Sequence, residues 1–254
     1  MTPDSFYAQS RVAHPDQLLE RADTMITAGA HILDIGANST RPNAPIASAQ
    51  EEIDRLADTI LLLKKSFPDT LISLDTYYGE VAQFGIDQGT DLINDISAGQ
   101  FDPTLWPVIA RAKIPYILNY NRAEQNNTVE SFIKEKGIVS DALSFLSAKR
   151  AALQALGCTD VIIDPGFGFG KSLAENHELL QKLEHLHLLG APLLVGVSRK
   201  SMITKVLNCS PEKALNGTSI LNTLAYSKGA RLFRVHDVAA AKELILLLAS
   251  QELH

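Results

Sequence analysis

The chain has 254 residues, of which 46% are apolar, and a formal net charge of −6. That is enough to bury a sizeable core, and it suits one α/β barrel of about 250 residues. The basic residues form no block, which disfavours a nucleic-acid partner, and no apolar run approaches the roughly 20 residues of a membrane span.

In chain order the pattern alternates helix and strand. A helix over 15–28 opens at Pro15, a residue suited to a first helical turn. A strand follows at 31–36, then a helix at 48–66, where Ser48 and Glu51 have capping-box spacing. Next come strand 71–76, helix 78–88, strand 91–96, helix 103–112 and strand 115–120. A helix over 128–156 should break near Gly137, before strand 160–164 and helix 174–189. Strand 192–198, helix 212–228, strand 231–236 and helix 238–252 complete the chain.

Gly29, Gly89, Gly157 and Gly229 each follow a helix and precede a strand, where a left-handed residue ends a helix cheaply. No linker or composition shift appears, so residues 1–254 read as one domain. The fold class is α/β, a TIM (β/α)8 barrel of right-handed units. Seven strands are one short of that barrel, so its first strand is expected upstream of Met1; an open sheet, or a barrel closed some other way, is the alternative.

The strands share a second property. Each apolar run closes in polar residues: Asp34-Ile35-Gly36, Leu74-Asp75-Thr76, Asn94-Asp95, Leu118-Asn119, Asp164-Pro165-Gly166, Ser198-Arg199-Lys200 and Arg234-Val235-His236-Asp237. Polar groups at the same end of parallel strands converge on one rim, where such folds place their chemistry.

Asp164 precedes the glycine-rich Gly166-Phe167-Gly168-Phe169-Gly170-Lys171, whose spacing is not that of a Walker loop. A rim carboxylate can accept two parallel bonds from an amidine-like edge, or serve as a cap. Asp75 and Asn94 are further rim groups, whereas Asp95 reads as a cap or ion-pair partner. Lys200 can meet a carbonyl or ring nitrogen, and Arg199 can pair with a carboxylate. Arg234 and His236 are two apart, and together suggest an anion site. Thr40-Arg41-Pro42 lies in a long loop, 37–47, of the kind that carries function. Cys158 and Cys209 lack metal-ligand spacing and read as buried thiols in a reducing compartment. Met1-Thr2-Pro3-Asp4-Ser5-Phe6 has no signal-peptide character, so a cytoplasmic protein is expected.

Taken in order, these motifs resemble the dihydropteroate synthases, within the pterin-binding family of barrels. The likeness rests on Thr2-Pro3-Asp4-Ser5-Phe6, Asp34-Ile35-Gly36 with Ser39-Thr40-Arg41-Pro42, and Asp75-Thr76. It continues through Asn94-Asp95, Asp164-Pro165-Gly166 with Gly168-Phe169-Gly170-Lys171, Ser198-Arg199-Lys200 and Arg234-Val235-His236-Asp237-Val238. It implies condensation of p-aminobenzoate with a dihydropterin methyl diphosphate, releasing diphosphate.

The resemblance also implies roles. Asp75, Asn94, Asp164 and Lys200 would hold the pterin edge, with Phe169 and Gly196 lining the pocket. Arg234 and His236, with the Thr40 loop, would hold the diphosphate. Arg41, Pro42 and Ser201 would form the aminobenzoate site with Phe6. Lys200, Arg234 and His236 are thus the expected catalytic residues. Mg2+ would be carried mainly on the substrate diphosphate, and a homodimer is expected.

Three departures qualify the likeness. The family's Met-His-Met run is replaced within Leu118-Asn119-Tyr120-Asn121. Its Gly-Gly-Glu becomes Gly36-Ala37-Asn38. Its metal-binding asparagine falls upstream of Met1. Two alternatives stand beside an active synthase. One is a catalytically impaired paralogue that binds a pterin or related ligand. The other is a pterin-dependent methyltransferase, a class usually lacking the Ser-Arg-Lys and Arg-Val-His-Asp strand ends.

Overall fold

The computed structural model describes residues 15–37, 47–122 and 137–251. By internal contacts the chain divides into two compact units, Met1–Ile117 with Leu153–Asp160, and Leu118–Ala152 with Val161–His254.

The first unit contains α1 (Pro15–Thr27), β1 (Ile32–Ile35), α2 (Ala49–Ser66), β2 (Leu71–Asp75), α3 (Gly79–Asp87), β3 (Leu92–Asp95), α4 (Leu105–Ala112) and the start of β4 (Tyr116–Asn119). The first three strands are parallel, with Ile35 opposite Leu74 and Asp75 opposite Asn94. Ile93 N donates to Pro115 O at 3.0 Å, which sets β4 beside β3. The strands are apolar because helices cover them, and Leu33, Ile35, Ile72, Leu74 and Ile93 are buried. On α2, Leu56, Ile60 and Leu63 form one buried stripe at helical spacing. Its start is fixed as expected: Glu51 N donates to Ser48 Oγ, and Ser48 N to Glu51 Oε2.

The second unit takes up the end of β4. It continues with α5 (Ile138–Ala155), β5 (Val161–Asp164), α6 (Leu173–Gln181), β6 (Leu194–Val195), α7 (Ser201–Leu207), α8 (Leu215–Ser227), β7 (Leu232–Phe233) and α9 (Val238–Gln251). Tyr120 N donates to Asp164 O at 2.9 Å. Ile163 bridges Leu193 in parallel, and β6 pairs with β7 in parallel.

Several boundaries differ from the sequence reading. Residues 174–189 are two elements, because the chain tightens to a 3₁₀ helix over Leu183–Leu189. Leu183, Leu186 and Leu189 recur every three residues, the 3₁₀ period, and all three are buried. Helix α7 was not expected; its Ile203, Thr204 and Val206 are β-branched and read as strand formers. The helix expected from 212 starts at Leu215, after a 3₁₀ turn over Pro211–Lys213. Strands 192–198 and 231–236 shrink to two residues each.

The four helix-ending glycines, Gly29, Gly89, Gly157 and Gly229, all have positive φ, as does Gly137 at the expected helix break. Cys158 is buried, but Cys209 is only half-buried, so the expectation of two buried thiols holds for one. Among the described residues, no helix is long and apolar enough to cross a membrane. Residues 128–136 and the strand expected before Met1 lie outside the described residues.

Candidate active site

In the first unit, strand register brings Asp75 beside Asn94. Thr76 N donates to Asn94 O at 3.1 Å, closing the strand ends together. Gly36 ends β1 against Asp75; a Cβ there would lie 3.0 Å from the Asp75 Cβ. Asn94 is buried, with Nδ2 3.5 Å from Asp34 Oδ2. Its Oδ1 has no hydrogen-bond partner among the described residues. A buried, unanswered acceptor is costly unless a ligand or water meets it.

Asp95 has the capping role expected of it. Its oxygens accept from Ser97 N at 2.6 Å, Gly99 N at 2.7 Å and the Tyr116 hydroxyl at 2.6 Å. Trp106 Nε1 in turn donates to the Tyr116 hydroxyl at 3.0 Å. Burial raises the Asp95 pKa, opposed by these donors, and burial also raises that of Tyr116. Asp95 therefore braces the turn that follows the candidate group Asn94.

The second unit assembles a denser cluster. Asp164, at the end of β5, is buried. One carboxylate oxygen accepts from Gly166 N at 2.8 Å, and the other from Asn119 Nδ2 at 3.0 Å. Gly166 has φ +64, and a Cβ there would meet Tyr120 O at 2.1 Å. Only glycine lets the loop approach β4 this closely.

Lys200 precedes α7. Its Nζ donates to Phe167 O and lies 4.8 Å from the centre of the Phe169 ring. Burial lowers its pKa to about 8; Arg234 adds to the fall and Asp164 opposes it. The structure thus brings Lys200, Phe169 and Asp164 into one neighbourhood. Gly196 is buried, and a Cβ there would lie 3.5 Å from Arg234 Nε.

His236 is held by Ser198, whose Oγ lies 2.9 Å from Nδ1 and accepts from His236 N at 3.2 Å. Burial lowers the His236 pKa, and the positive charges of Arg199 and Arg234 add to the fall. The ring is therefore neutral near pH 7 and serves as a hydrogen-bonding group. Ser201 begins α7 and is exposed. Thr40, Arg41, Pro42 and Phe6 lie outside the described residues.

Such a cluster offers an acceptor for paired N–H donors at Asp164, a cation at Lys200, an aromatic wall at Phe169 and a further cation at Arg234. It suits a flat heteroaromatic ligand with an anionic substituent. The sequence model of the family described as "Pterin binding enzyme" matches residues 1–236.

The chain belongs to the pterin-binding enzyme family. The dihydropteroate synthase of Streptococcus pyogenes is 38% identical over 98% of this chain and 92% of its own. The crystal structure of 7,8-dihydropteroate synthase from Vibrio fischeri matches with TM-score 0.84 and 41% identity, covering 94% of this chain and 89% of its own. The Yersinia pestis dihydropteroate synthase, in a sulfonamide drug complex, matches with TM-score 0.88 and 35% identity, covering 99% and 91%. The fold class is accordingly the TIM (β/α)8 barrel that the alternation of strand and helix implied.

Two residues of this pterin-binding enzyme escaped the sequence reading. Asn119 was read as a polar strand end and as a departure from the family run but given no role, yet it is the side-chain partner of Asp164. Lys171 entered the sequence reading only as the end of the glycine-rich motif, with no role of its own. Its Nζ donates to Tyr120 O at 2.8 Å, Gly166 O at 2.7 Å and Phe169 O at 3.1 Å, and sits 4.4 Å from the Tyr120 ring centre. The signal for both was their position: one ends a strand, the other ends the glycine loop.

Proposed function

We propose that this chain is a dihydropteroate synthase of folate biosynthesis, joining p-aminobenzoate to 6-hydroxymethyl-7,8-dihydropterin diphosphate. The observation that carries this reading is the near-full-length identity to the Streptococcus pyogenes enzyme. The C–O bond to diphosphate breaks, the amine lone pair forms the new C–N bond, and the amine then loses a proton. The pterin ring stabilises positive charge on the reacting carbon, so no covalent protein nucleophile is required. The protein positions the ring, receives the departing charge and excludes water.

Asp164 accepts the paired donors of the pterin edge, and the resemblance assigns Asp75 and Asn94 to the same edge. Lys200 donates to a ring acceptor, while Phe169 and Gly196 line the ring. Arg234 and the neutral His236 hold the diphosphate, and the resemblance assigns the Thr40 loop to it as well. Arg41, Pro42, Ser201 and Phe6 take the aminobenzoate. Family membership supports these assignments, and the clustering in the second unit supports those of Asp164, Phe169, Lys200 and Arg234.

Mg2+ travels on the diphosphate in this reading. Among the described residues, no three His, Cys, Asp or Glu side chains gather to hold a metal ion. Those residues do not fit a protein-built metal site, and no step here runs through one. The family model runs across both units, which supports one domain over 1–254. A homodimer in the cytoplasm, without nucleic-acid or membrane partners, completes the proposal.

The change to Asn119, Tyr120 and Asn121 favours one second reading, a paralogue that binds pterin without turnover. Diphosphate release with both substrates and magnesium separates the two. Release that depends on p-aminobenzoate supports the synthase; pterin binding with no release selects the paralogue. Within the synthase, Lys200→Ala should weaken pterin binding, and unchanged affinity would remove Lys200 from the site.

A further inference from the structure

Ser198 is buried, two residues before Lys200. Among the described residues, both hydrogen bonds of its side chain go to His236: Oγ accepts from His236 N at 3.2 Å and lies 2.9 Å from Nδ1. A hydroxyl has one hydrogen to give and two lone pairs to offer. The backbone N–H takes one lone pair. Were Nδ1 protonated, Oγ would accept a second time, and the hydroxyl hydrogen would be buried without an acceptor, a costly arrangement. The hydroxyl therefore donates to Nδ1. Burial, with the charges of Arg199 and Arg234, keeps the ring neutral near pH 7. A neutral imidazole carries one ring proton, so that proton sits on Nε2.

We propose that Ser198 is a positioning residue whose hydroxyl sets the tautomer and orientation of His236, so that Nε2 presents an N–H to the departing diphosphate. The inference rests on the reading above that gives His236 to the diphosphate. An anion is held only by a donor. With the tautomer reversed, a neutral His236 would turn a lone pair towards the diphosphate and repel it. In the reaction the electrons of the C–O bond leave on the diphosphate oxygen. Nε2–H donates a hydrogen bond to that anion and keeps its proton, so the ring ends the step neutral. A donor fixed before the charge develops needs no reorganisation as the bond breaks. Ser198 acts only through His236.

The test joins nitrogen NMR of the full chain, with isotope-labelled histidine, to calorimetry with inorganic diphosphate and magnesium. The His236 ring is picked out from the seven histidines by its loss in His236→Gln. In the parent near pH 7, Nε2 should carry the proton and Nδ1 a lone pair. A proton on Nδ1 overturns the proposal, and the functional reading stands if that chain still binds diphosphate. Ser198→Ala removes the hydroxyl, and Ser198→Cys keeps its bulk with only a weak donor. Each should move the Nδ1 resonance and weaken diphosphate binding about tenfold, the scale of one charge-assisted hydrogen bond. Melting curves confirm that each variant is folded. An unmoved Nδ1 resonance, or a Ser198→Cys chain that binds diphosphate like the parent, means that Ser198 only fills space, and overturns the proposal. A parent chain that binds no diphosphate overturns the functional reading and this inference with it. Should one variant not fold, the other carries the comparison. Should neither fold, the parent decides alone: diphosphate must move the Nε2 resonance while the proton stays on Nε2, and an unmoved resonance overturns the proposal.

Discussion

Arg199 and Asp237 form a two-point ion pair, with Nε donating to Oδ2 at 3.0 Å and Nη2 to Oδ1 at 2.6 Å. Arg199 sits in the turn before α7 with φ +56, and its N donates to Thr218 Oγ1 at 3.1 Å. Asp237 immediately precedes α9. The pair therefore fixes the turn carrying Lys200 to the segment carrying His236.

Arg199→Met should destabilise the chain. Both side chains are under a third exposed, at 28% and 22%, so solvent weakens the pair without cancelling it. Charged hydrogen bonds of this kind contribute about 1–2 kcal/mol after that discount. Arg199→Lys should recover little, because a point charge cannot make the two-point contact. Urea denaturation with an unchanged m-value checks both. A midpoint equal to the parent's would show that the pair contributes nothing.

Gly166→Ala should be far more damaging. The new Cβ would meet Tyr120 O at 2.1 Å, and φ of +64 is unfavourable for alanine. The loop must leave β4, breaking the Gly166 N to Asp164 bond. A loss of at least about 2 kcal/mol is expected, together with most pterin affinity. Gly157→Ala is the control: it also has positive φ, but its added Cβ meets nothing within 4 Å. Equal losses at the two positions would mean that backbone strain alone, not close approach, governs Gly166.

Much of this arrangement was legible beforehand, for reasons that particular residues make plain. The capping box at Ser48 and Glu51 is a local hydrogen-bonding code, and it formed as read. Asp75 and Asn94 followed from the rule that strand ends share a rim, and register places them opposite each other. Lys171 was not legible, because its three carbonyl partners are brought together only by the folded loop. The 3₁₀ segment at Leu183 was misread because its three-residue spacing overlaps the helical pattern.

Tyr120→Phe tests the replaced family run. The Tyr120 hydroxyl donates to Asp141 Oδ2, and both residues are buried. Burial raises the tyrosine pKa, with the Asp141 carboxylate adding to the rise. Removing the hydroxyl leaves a buried carboxylate oxygen short of a donor, at about 1–3 kcal/mol. The double variant Tyr120→Phe with Asp141→Asn should lose less than the sum of the single losses. Strict additivity in thermal or urea unfolding would rule out coupling between the two.

Lys171 gives the pH dependence. Burial lowers its pKa in the fold from 10.5 to about 7, with Lys200 and Arg122 adding to the fall and Asp164 opposing it. Between those two values the unfolded chain holds a proton that the folded chain has released. Stability therefore rises with pH across that window, is complete above the upper value, and is lost as pH falls towards the lower one. Each such group adds at most about 1.4 kcal/mol per pH unit. Lys200, at about 8 in the fold, acts in the same sense over a narrower range. Lys171→Met also strips three carbonyls of their shared donor, so its stability starts lower at every pH. Urea unfolding from pH 7 to 10 should show a shallower rise for Lys171→Met than for the parent, the remainder belonging to Lys200 and other groups common to both. Parallel curves, offset but equal in slope, would mean that Lys171 stays protonated throughout and acts only as a fixed cationic clamp.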